Sequence, residues 1–125
     1  MIYGIGTDVV EVSRIKVALK KYGLKLAQKI LTHNELLAYN KVKSKENFLA
    51  KRFAAKEAFA KAFGTGLRGS VNFKSIEVTH DSLGKPLLKY HNQLKAVVED
   101  KNIHHCHLSI SDEKNIAVAF VILEA

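Results

Sequence analysis

The sequence of 125 residues contains one cysteine, one proline and no tryptophan. A single cysteine, Cys106, excludes an intrachain disulfide, which is typical of a protein in a reducing cytosol. No run of about 18 apolar residues is present, so no membrane-spanning helix is expected. The start of the chain lacks a basic segment followed by an apolar stretch, so no signal peptide is expected. These absences, together with the length, predict a single cytoplasmic domain over residues 1–125.

Acidic residues are also few: 12 Asp and Glu stand against 20 Lys and Arg, and the net charge is +8. Such a balance favours an acidic partner, whether nucleic acid, anionic lipid, a phosphorylated cofactor or an acidic protein. The basic arm and the platform of clustered aromatic residues that are typical of nucleic-acid binding are absent. A basic module that binds nucleic acid or a phosphorylated ligand without catalysis is therefore the alternative function, and an enzyme is the preferred one.

The first half of the chain is predicted to be helical after one short strand over residues 2–7. Each predicted helix follows a capping residue, and two of them end at a glycine. They are a helix over 14–22 between Ser13 and Gly23, a helix that begins at residue 33 after the Thr32/Glu35 capping box, and a helix over 45–63 between Ser44 and Gly64.

The second half is predicted to consist mainly of strands. The expected elements are strands over 73–80 and 87–90 around a turn at 81–86, a helix over 91–100, and strands over 107–111 and 116–122 around a turn at 112–115. Helices followed by antiparallel strands predict an α+β domain in which a small antiparallel sheet packs against the long helix. Because so small a sheet leaves burial incomplete, oligomerisation is expected.

Two carboxylates in unlike segments suggest a magnesium site. Asp8 follows a glycine-containing apolar stretch, and Glu57 lies inside the long predicted helix. Mg²⁺ prefers oxygen ligands and is usually held by one or two carboxylates plus substrate phosphates and water. Lys61 lies one turn after Glu57 on the same helix face. The glycines of 64–66 tolerate unusual dihedrals and would let the backbone approach a phosphate.

Each of these features has a plain structural alternative. Glu57 and Lys61 are spaced as a surface ion pair, and Gly64 as a helix cap. Gly4 and Gly6 suit close packing of a strand against another backbone, and Asp8 suits a turn. A transition-metal site at the run 104–107 is not expected, because adjacent residues of a strand point to opposite faces and no second cluster completes four ligands.

Three blocks in order along the chain resemble the holo-[acyl-carrier-protein] synthase family, the small trimeric class of 4′-phosphopantetheinyl transferases. They are Gly4–Asp8 with Arg14 downstream, Arg52–Gly66, and His107–Ser111. The turn Gly84-Lys85-Pro86 also fits the family pattern. The sequence departs from that pattern at Asp112, where the family often has a histidine or another polar residue.

The resemblance implies a magnesium-dependent enzyme of fatty acid biosynthesis. Its members transfer the 4′-phosphopantetheine arm of coenzyme A to a serine hydroxyl of apo acyl carrier protein and release adenosine 3′,5′-bisphosphate. By this resemblance, Asp8 and Glu57 would hold Mg²⁺, and Asp8 or a metal-bound water beside it would receive the serine proton. Lys61 would stabilise the leaving phosphate, which makes Asp8, Glu57 and Lys61 the expected catalytic residues.

The resemblance also implies the binding surfaces and the assembly. Coenzyme A would contact Arg52, Phe53, Lys56, Lys61, Gly64, Thr65, Gly66, Gly84, Pro86, His107 and Ser109. The acidic carrier protein would contact Arg14, Lys20 and Lys21 on the first helix, since opposite charges speed encounter. The expected assembly is a homotrimer with its sites between subunits and with no nucleic-acid or membrane partner.

Overall fold

Five helices and five strands follow one another in the computed structural model, which describes all residues 1–125. In chain order they are β1 (Ile2–Glu11), α1 (Val12–Tyr22), α2 (Leu24–Ile30), α3 (His33–Tyr39), α4 (Lys45–Phe63), β2 (Ile76–His80), β3 (Pro86–Tyr90), α5 (Gln93–Asp100), β4 (His105–Glu113) and β5 (Ile116–Glu124). No helix has both the length and the apolar character needed to cross a membrane.

The strands form two antiparallel sheets. The larger sheet has the order β1-β5-β4, and the smaller one is the hairpin β2-β3. In the larger sheet Asp8 lies opposite Ala119, and Ser109 lies opposite Phe120. The long helix α4 packs mainly against β1 and β5. The α+β architecture predicted from the sequence is therefore confirmed.

Helix α4 is the centre of the core. Among its buried residues are three phenylalanines and two alanines: Phe48, Ala55, Phe59, Ala62 and Phe63. Phe59 and Phe63 stack with ring centroids 5.7 Å apart. The helix ends at Gly64, whose φ of 95° lies in the left-handed region. Because helix and strands share this core, the side chains that line their junction are held on rigid elements.

The glycines at the start of β1 allow the strand to touch the backbone of α4. A Cβ atom placed on Gly6 would lie 2.0 Å from the Ala58 carbonyl oxygen, and one on Gly4 would lie 2.0 Å from that of Ala62. The close-packing alternative for these two glycines is thus confirmed. Since alternate residues of a strand share a face, Asp8 follows Gly4 and Gly6 toward the same helix.

Two boundaries differ from the sequence-based predictions for one physical reason. Strand β1 does not end at residue 7 but continues to Glu11 and passes directly into α1, whose N-cap is Glu11. Ser13 lies inside the helix, and its backbone N–H donates to Asn115 Oδ1 at 2.9 Å. The prediction that Ser13 caps α1 is therefore wrong, because pairing of β1 with β5 extends the strand past the position of the expected cap.

One helix was absent from the prediction. Helix α2 begins after Gly23, which has a φ of 63° and makes no side-chain cap. At its other end, Lys74 donates hydrogen bonds to the carbonyls of Gln28 and Leu31. This contact joins residues more than 40 positions apart, so no local sequence signal marks the helix. Strands β4 and β5 also run closer to their turn than expected, which leaves only Lys114 and Asn115 between them.

Candidate active site

The junction of β1 and α4 brings the predicted carboxylates and Lys61 together. Lys61 Nζ lies 3.1 Å from Asp8 Oδ1 and donates to the Thr7 carbonyl at 3.0 Å. Glu57 precedes Lys61 by one helical turn and therefore projects from the same face of α4. The Asp8 side chain is only 15% exposed, whereas that of Lys61 is 53% exposed. The acid lies within the junction, and the amine reaches it from the solvent side.

The electrostatics of this junction favour a cation. Burial raises the pKa of Glu57, and the nearby Asp8 charge raises that pKa further, while Lys61 opposes both effects. Two like charges in a partly desolvated site disfavour each other's ionised forms. A divalent cation between the two carboxylates would remove this cost, since its charge compensates both.

The carboxylates line one wall of a cleft of about 300 Å³. Phe53 forms part of another wall, and its ring packs on Phe73 with centroids 5.8 Å apart. Arg14 lies at the cleft, highly exposed, with its Nε only loosely paired to Glu11 Oε1 at 3.8 Å. The cleft thus combines two acids, an aromatic wall and an available guanidinium, which suits a ligand with both charged and apolar parts.

The donor set fits a magnesium ion that is shared with substrate. No group of three or more His, Cys, Asp or Glu side chains is arranged to hold a metal ion by itself. Asp8 and Glu57 supply hard carboxylate oxygens, the kind that Mg²⁺ prefers. A pair of carboxylates leaves the remaining positions of an octahedron to water and to phosphate oxygens. The residues present therefore fit the ion that the sequence predicted.

The loop after α4 has the geometry of a helix end. The backbone N–H of Gly64 donates to the carbonyls of Ala60 and Lys61, and that of Gly66 donates to Ala60. Gly64 and Thr65 are exposed. A Cβ atom placed on Gly64 or on Gly66 would meet nothing within 4 Å. The helix-cap alternative for Gly64 is therefore confirmed, and the capped loop leaves open space about one turn beyond Lys61.

A second group of predicted residues meets elsewhere, at the outer face of the larger sheet. His107, Ser109 and Lys85 line a cavity of about 160 Å³ together with Leu108, Phe120 and Ile122. The turn that carries Gly84 and Lys85 is held by Asp81, whose Oδ1 accepts hydrogen bonds from the N–H groups of Leu83 and Lys85 at 2.9 Å each. The turn and strands β4 and β5 thus share one cavity.

A single chain does not bring these two groups together. Asp8 shares its sheet face with Ala119 and packs toward α4, while Ser109 pairs with Phe120 on the opposite face. Side chains of successive residues point to opposite faces of a sheet. The carboxylate junction and the His107 cavity are consequently on different sides of the three-stranded sheet.

The position of Lys56 contradicts one of the predicted contacts with coenzyme A. Its ammonium is completely buried and donates to Glu35 Oε1 at 2.6 Å, to the Ile30 carbonyl at 2.6 Å and to the Phe73 carbonyl at 2.9 Å. An ammonium has three donors, and all three are used. The prediction that Lys56 contacts coenzyme A is wrong, because no N–H remains for a ligand and the ammonium is not exposed to solvent.

Arg52 is drawn into the same buried network. Its Nε lies 3.5 Å from Glu35 Oε2, and its guanidinium stands 4.3 Å from the centre of the Phe48 ring. The residue is only 8% exposed. Arg52 does not line the carboxylate cleft, so its predicted contact with coenzyme A has no support in the geometry.

The basic residues of α1 form an exposed surface that begins at the cleft. Arg14, Lys20 and Lys21 are all exposed. Arg14 lines the carboxylate cleft, whereas Lys20 lines a separate groove of about 450 Å³ at the far end of the helix. Lys21 Nζ stands 5.2 Å from the centre of the Tyr22 ring. Only Arg14 of the three is placed beside the two acids.

Fold and site together are those of a phosphopantetheinyl transferase, and the chain belongs to the 4′-phosphopantetheinyl transferase superfamily, whose family model matches residues 4–121. Among its relatives, the holo-[acyl-carrier-protein] synthase of Nitrosospira multiformis is 58% identical over 124 residues, which are 99% of each chain. That of Dechloromonas aromatica is 52% identical, over 99% of this chain and 98% of the relative. The family resemblance stated from the sequence is confirmed.

Solved structures carry the same fold. The crystal structure of holo-[acyl-carrier-protein] synthase from Neisseria meningitidis superposes with a TM-score of 0.97 at 50% identity, and the match covers 100% of both chains. The synthase from Bacillus anthracis, in complex with CoA (3′,5′-ADP), gives a TM-score of 0.85 at 42% identity over 100% of this chain and 98% of the other. The predicted fold is therefore confirmed.

Proposed function

We propose that this chain acts as a holo-[acyl-carrier-protein] synthase. It transfers the 4′-phosphopantetheine arm from coenzyme A to a serine hydroxyl of apo acyl carrier protein and releases adenosine 3′,5′-bisphosphate. The observation that carries the proposal is the Asp8/Glu57 pair beside Lys61, held at the junction of β1 and α4 in a member of this superfamily. Relatives crystallised with coenzyme A support the choice of substrate.

Asp8 and Glu57 hold Mg²⁺ in this proposal, with coenzyme A pyrophosphate oxygens and water as the remaining ligands. The ion, when bound, neutralises charge on the pyrophosphate and acts as a Lewis acid. Asp8, directly or through a neighbouring water, receives the proton of the attacking serine hydroxyl. Lys61 stabilises the charge that develops on the leaving bisphosphate.

The remaining contacts follow from position. Gly64, Thr65 and Gly66 lie one turn past Lys61 and approach the phosphates through their backbone. Phe53 forms an apolar wall for the pantetheine arm. The cavity lined by Lys85, His107 and Ser109 takes the nucleotide, together with Gly84 and Pro86 on either side of Lys85. Arg14 anchors the acidic carrier protein next to the cleft, and Lys20 and Lys21 steer it from farther along α1.

A homotrimer completes the site. The outer face of the larger sheet exposes apolar side chains: Ile5 is 60% exposed, Val9 62% and Phe120 42%. A contiguous exposed apolar patch of this kind marks an interaction surface. If neighbouring subunits cover it, the nucleotide cavity of one subunit meets the carboxylate junction of the next. We therefore expect the isolated monomer to be inactive, which light scattering coupled to gel filtration and an activity assay of each fraction would test.

Mass spectrometry provides the decisive test of the reaction. Apo acyl carrier protein is incubated with this chain, coenzyme A and Mg²⁺, and a parallel sample contains EDTA. The expected result is a mass gain of one phosphopantetheine arm that is absent with EDTA and absent for Glu57→Ala. No gain with several carriers, combined with unchanged nucleic-acid binding by Glu57→Ala, would instead favour the non-catalytic basic module. An enzyme of this kind belongs in the cytoplasm, where fatty acids are built on carrier proteins.

A further inference from the structure

Lys61 contacts one acid of the carboxylate pair. Its ammonium lies 3.1 Å from Asp8 Oδ1 and 3.0 Å from the Thr7 carbonyl. About half of its side chain is exposed, so burial does not force the ammonium into this position. The other cation at the cleft, Arg14, pairs loosely with Glu11 instead. Lys61 is therefore the cation that compensates Asp8 in the free protein.

We propose that Lys61 is a stand-in cation that neutralises the charge of the Asp8/Glu57 pair until a divalent ion binds. The Lys61 ammonium then leaves Asp8 and binds the coenzyme A pyrophosphate. This inference rests on the proposed metal role of Asp8 and Glu57. It assigns to Lys61 a regulatory role in the free protein, in addition to its contact with the leaving phosphate.

The chemistry of the three groups supports such an exchange. Asp8 and Glu57 line the same cleft, so two like charges stand close together there, and a neighbouring cation is favourable even without metal. The oxygen that accepts from Lys61, Asp8 Oδ1, is one of the oxygens available to a metal. An ammonium and a divalent ion therefore compete for it. A lysine has three rotatable donors on a flexible stem, so it can release Asp8 while it remains bonded to the Thr7 carbonyl.

The exchange implies an order of binding. A divalent ion that arrives alone has to displace the ammonium, which then loses an anionic partner. When pyrophosphate arrives with the ion, the ammonium gains a new acceptor, and the displacement costs less. Metal and coenzyme A are therefore expected to strengthen each other's binding through Lys61, a reciprocal coupling between two ligands.

Calorimetric titration with Mn²⁺ in the absence of coenzyme A tests this inference without an activity measurement. We expect Lys61→Met to bind Mn²⁺ about 3- to 10-fold more tightly than the unmodified protein, since one competing unit charge is removed from the site. Lys61→Gln should behave alike, and Lys61→Arg should stay near the unmodified value. Lys95→Met serves as the matched control, because it removes the same charge from an exposed position on α5.

The possible outcomes distinguish a failure of the stand-in role of Lys61 from a failure of the metal role of Asp8 and Glu57. Equal or weaker Mn²⁺ binding by both Lys61→Met and Lys61→Gln, with clear binding by the unmodified protein, would overturn the stand-in role alone. No Mn²⁺ binding by any variant would overturn the metal role of Asp8 and Glu57, and the inference with it. Asp8→Asn should abolish binding, which identifies the titrated site. Added coenzyme A should tighten Mn²⁺ binding more in the unmodified protein than in Lys61→Met.

Discussion

Substituting Gly6 by alanine is expected to damage stability and activity together, because the strand at Gly6 touches the helix that carries the second carboxylate. The new Cβ would lie 2.0 Å from the Ala58 carbonyl oxygen and 2.6 Å from the Ala62 nitrogen. Contacts of this kind shorter than 3.0 Å essentially never occur, so β1 and α4 have to separate by about 1 Å or more. No truncation of a helix side chain relieves this clash, since both atoms met are backbone.

The magnitude follows from the type of clash. Overpacking of a core costs about 1–3 kcal/mol, occasionally more, and the upper part of that range applies here because no rotamer change helps. Asp8 follows on the same strand face, so the separation also moves it relative to Glu57. A misplacement of about 1 Å in an active site can reduce turnover roughly 100-fold. We expect a loss of about 3 kcal/mol in the free energy of unfolding and a loss of about 100-fold in turnover.

Two assays measure these effects. Urea denaturation followed by circular dichroism gives the free energy of unfolding, and the rate of mass gain on the carrier protein gives turnover. Ser13→Ala is the control, since its exposed side chain makes no cap bond and such surface changes usually stay within about 0.5 kcal/mol. A Gly6→Ala protein as stable and as active as the control would refute the close contact between β1 and α4.

Three further predictions concern charge. Lys56→Met should cost about 3–5 kcal/mol of unfolding free energy in urea, because the buried Glu35 carboxylate keeps only the more distant Arg52 as a cationic partner. Adding Glu35→Gln should restore part of that loss, and no restoration would contradict the pairing of Lys56 with Glu35. The raised pKa of Glu57 means that the folded protein binds more protons than the unfolded chain as pH rises from about 4.5 to the folded pKa. As pH rises across that window, the metal-free protein should therefore lose stability relative to Glu57→Gln. If the free energies of unfolding of the two proteins changed with pH in parallel, the raised pKa of Glu57 would be excluded. Finally, Arg14→Glu should raise the Michaelis constant for an acidic carrier protein. Added salt should bring the Michaelis constants of the variant and the unmodified protein closer together. A difference that does not depend on salt would rule out electrostatic steering by Arg14.

Local signals in the sequence predicted the parts of the fold that depend on neighbouring residues. The Thr32 capping box is present in full, with Glu35 N–H bonded to Thr32 Oγ1 and Thr32 N–H bonded to Glu35 Oε1. Helix α4 runs from Lys45 to Phe63 as predicted. Each of these features is determined within a few residues. The same is true of the spacing that places Glu57 and Lys61 on one face.

Features that depend on distant residues were not predictable. The partners of Lys56 lie 17 to 26 positions away in the chain, and the sequence around it equally suits a solvated amine. The available signal was that Phe59 and Ala60, three and four residues after Lys56, are apolar and lie on the same face of the helix. Likewise, the separation of Asp8 from Ser109 by the sheet depends on strand register, which pairs both with β5 but on opposite faces.

The packing of β1 on α4 fixes the relative position of the two carboxylates of the proposed metal site. Two carboxylates alone bind a divalent ion weakly, so their mutual position has to be fixed in advance. Gly4 and Gly6 bring the strand backbone against Ala58 and Ala62, and this contact limits how far Asp8 can move from α4. The small residues at this contact therefore also determine where the two acids lie. Substitutions that enlarge any of these small residues should weaken metal binding before they prevent folding, because a displaced strand remains paired with β5.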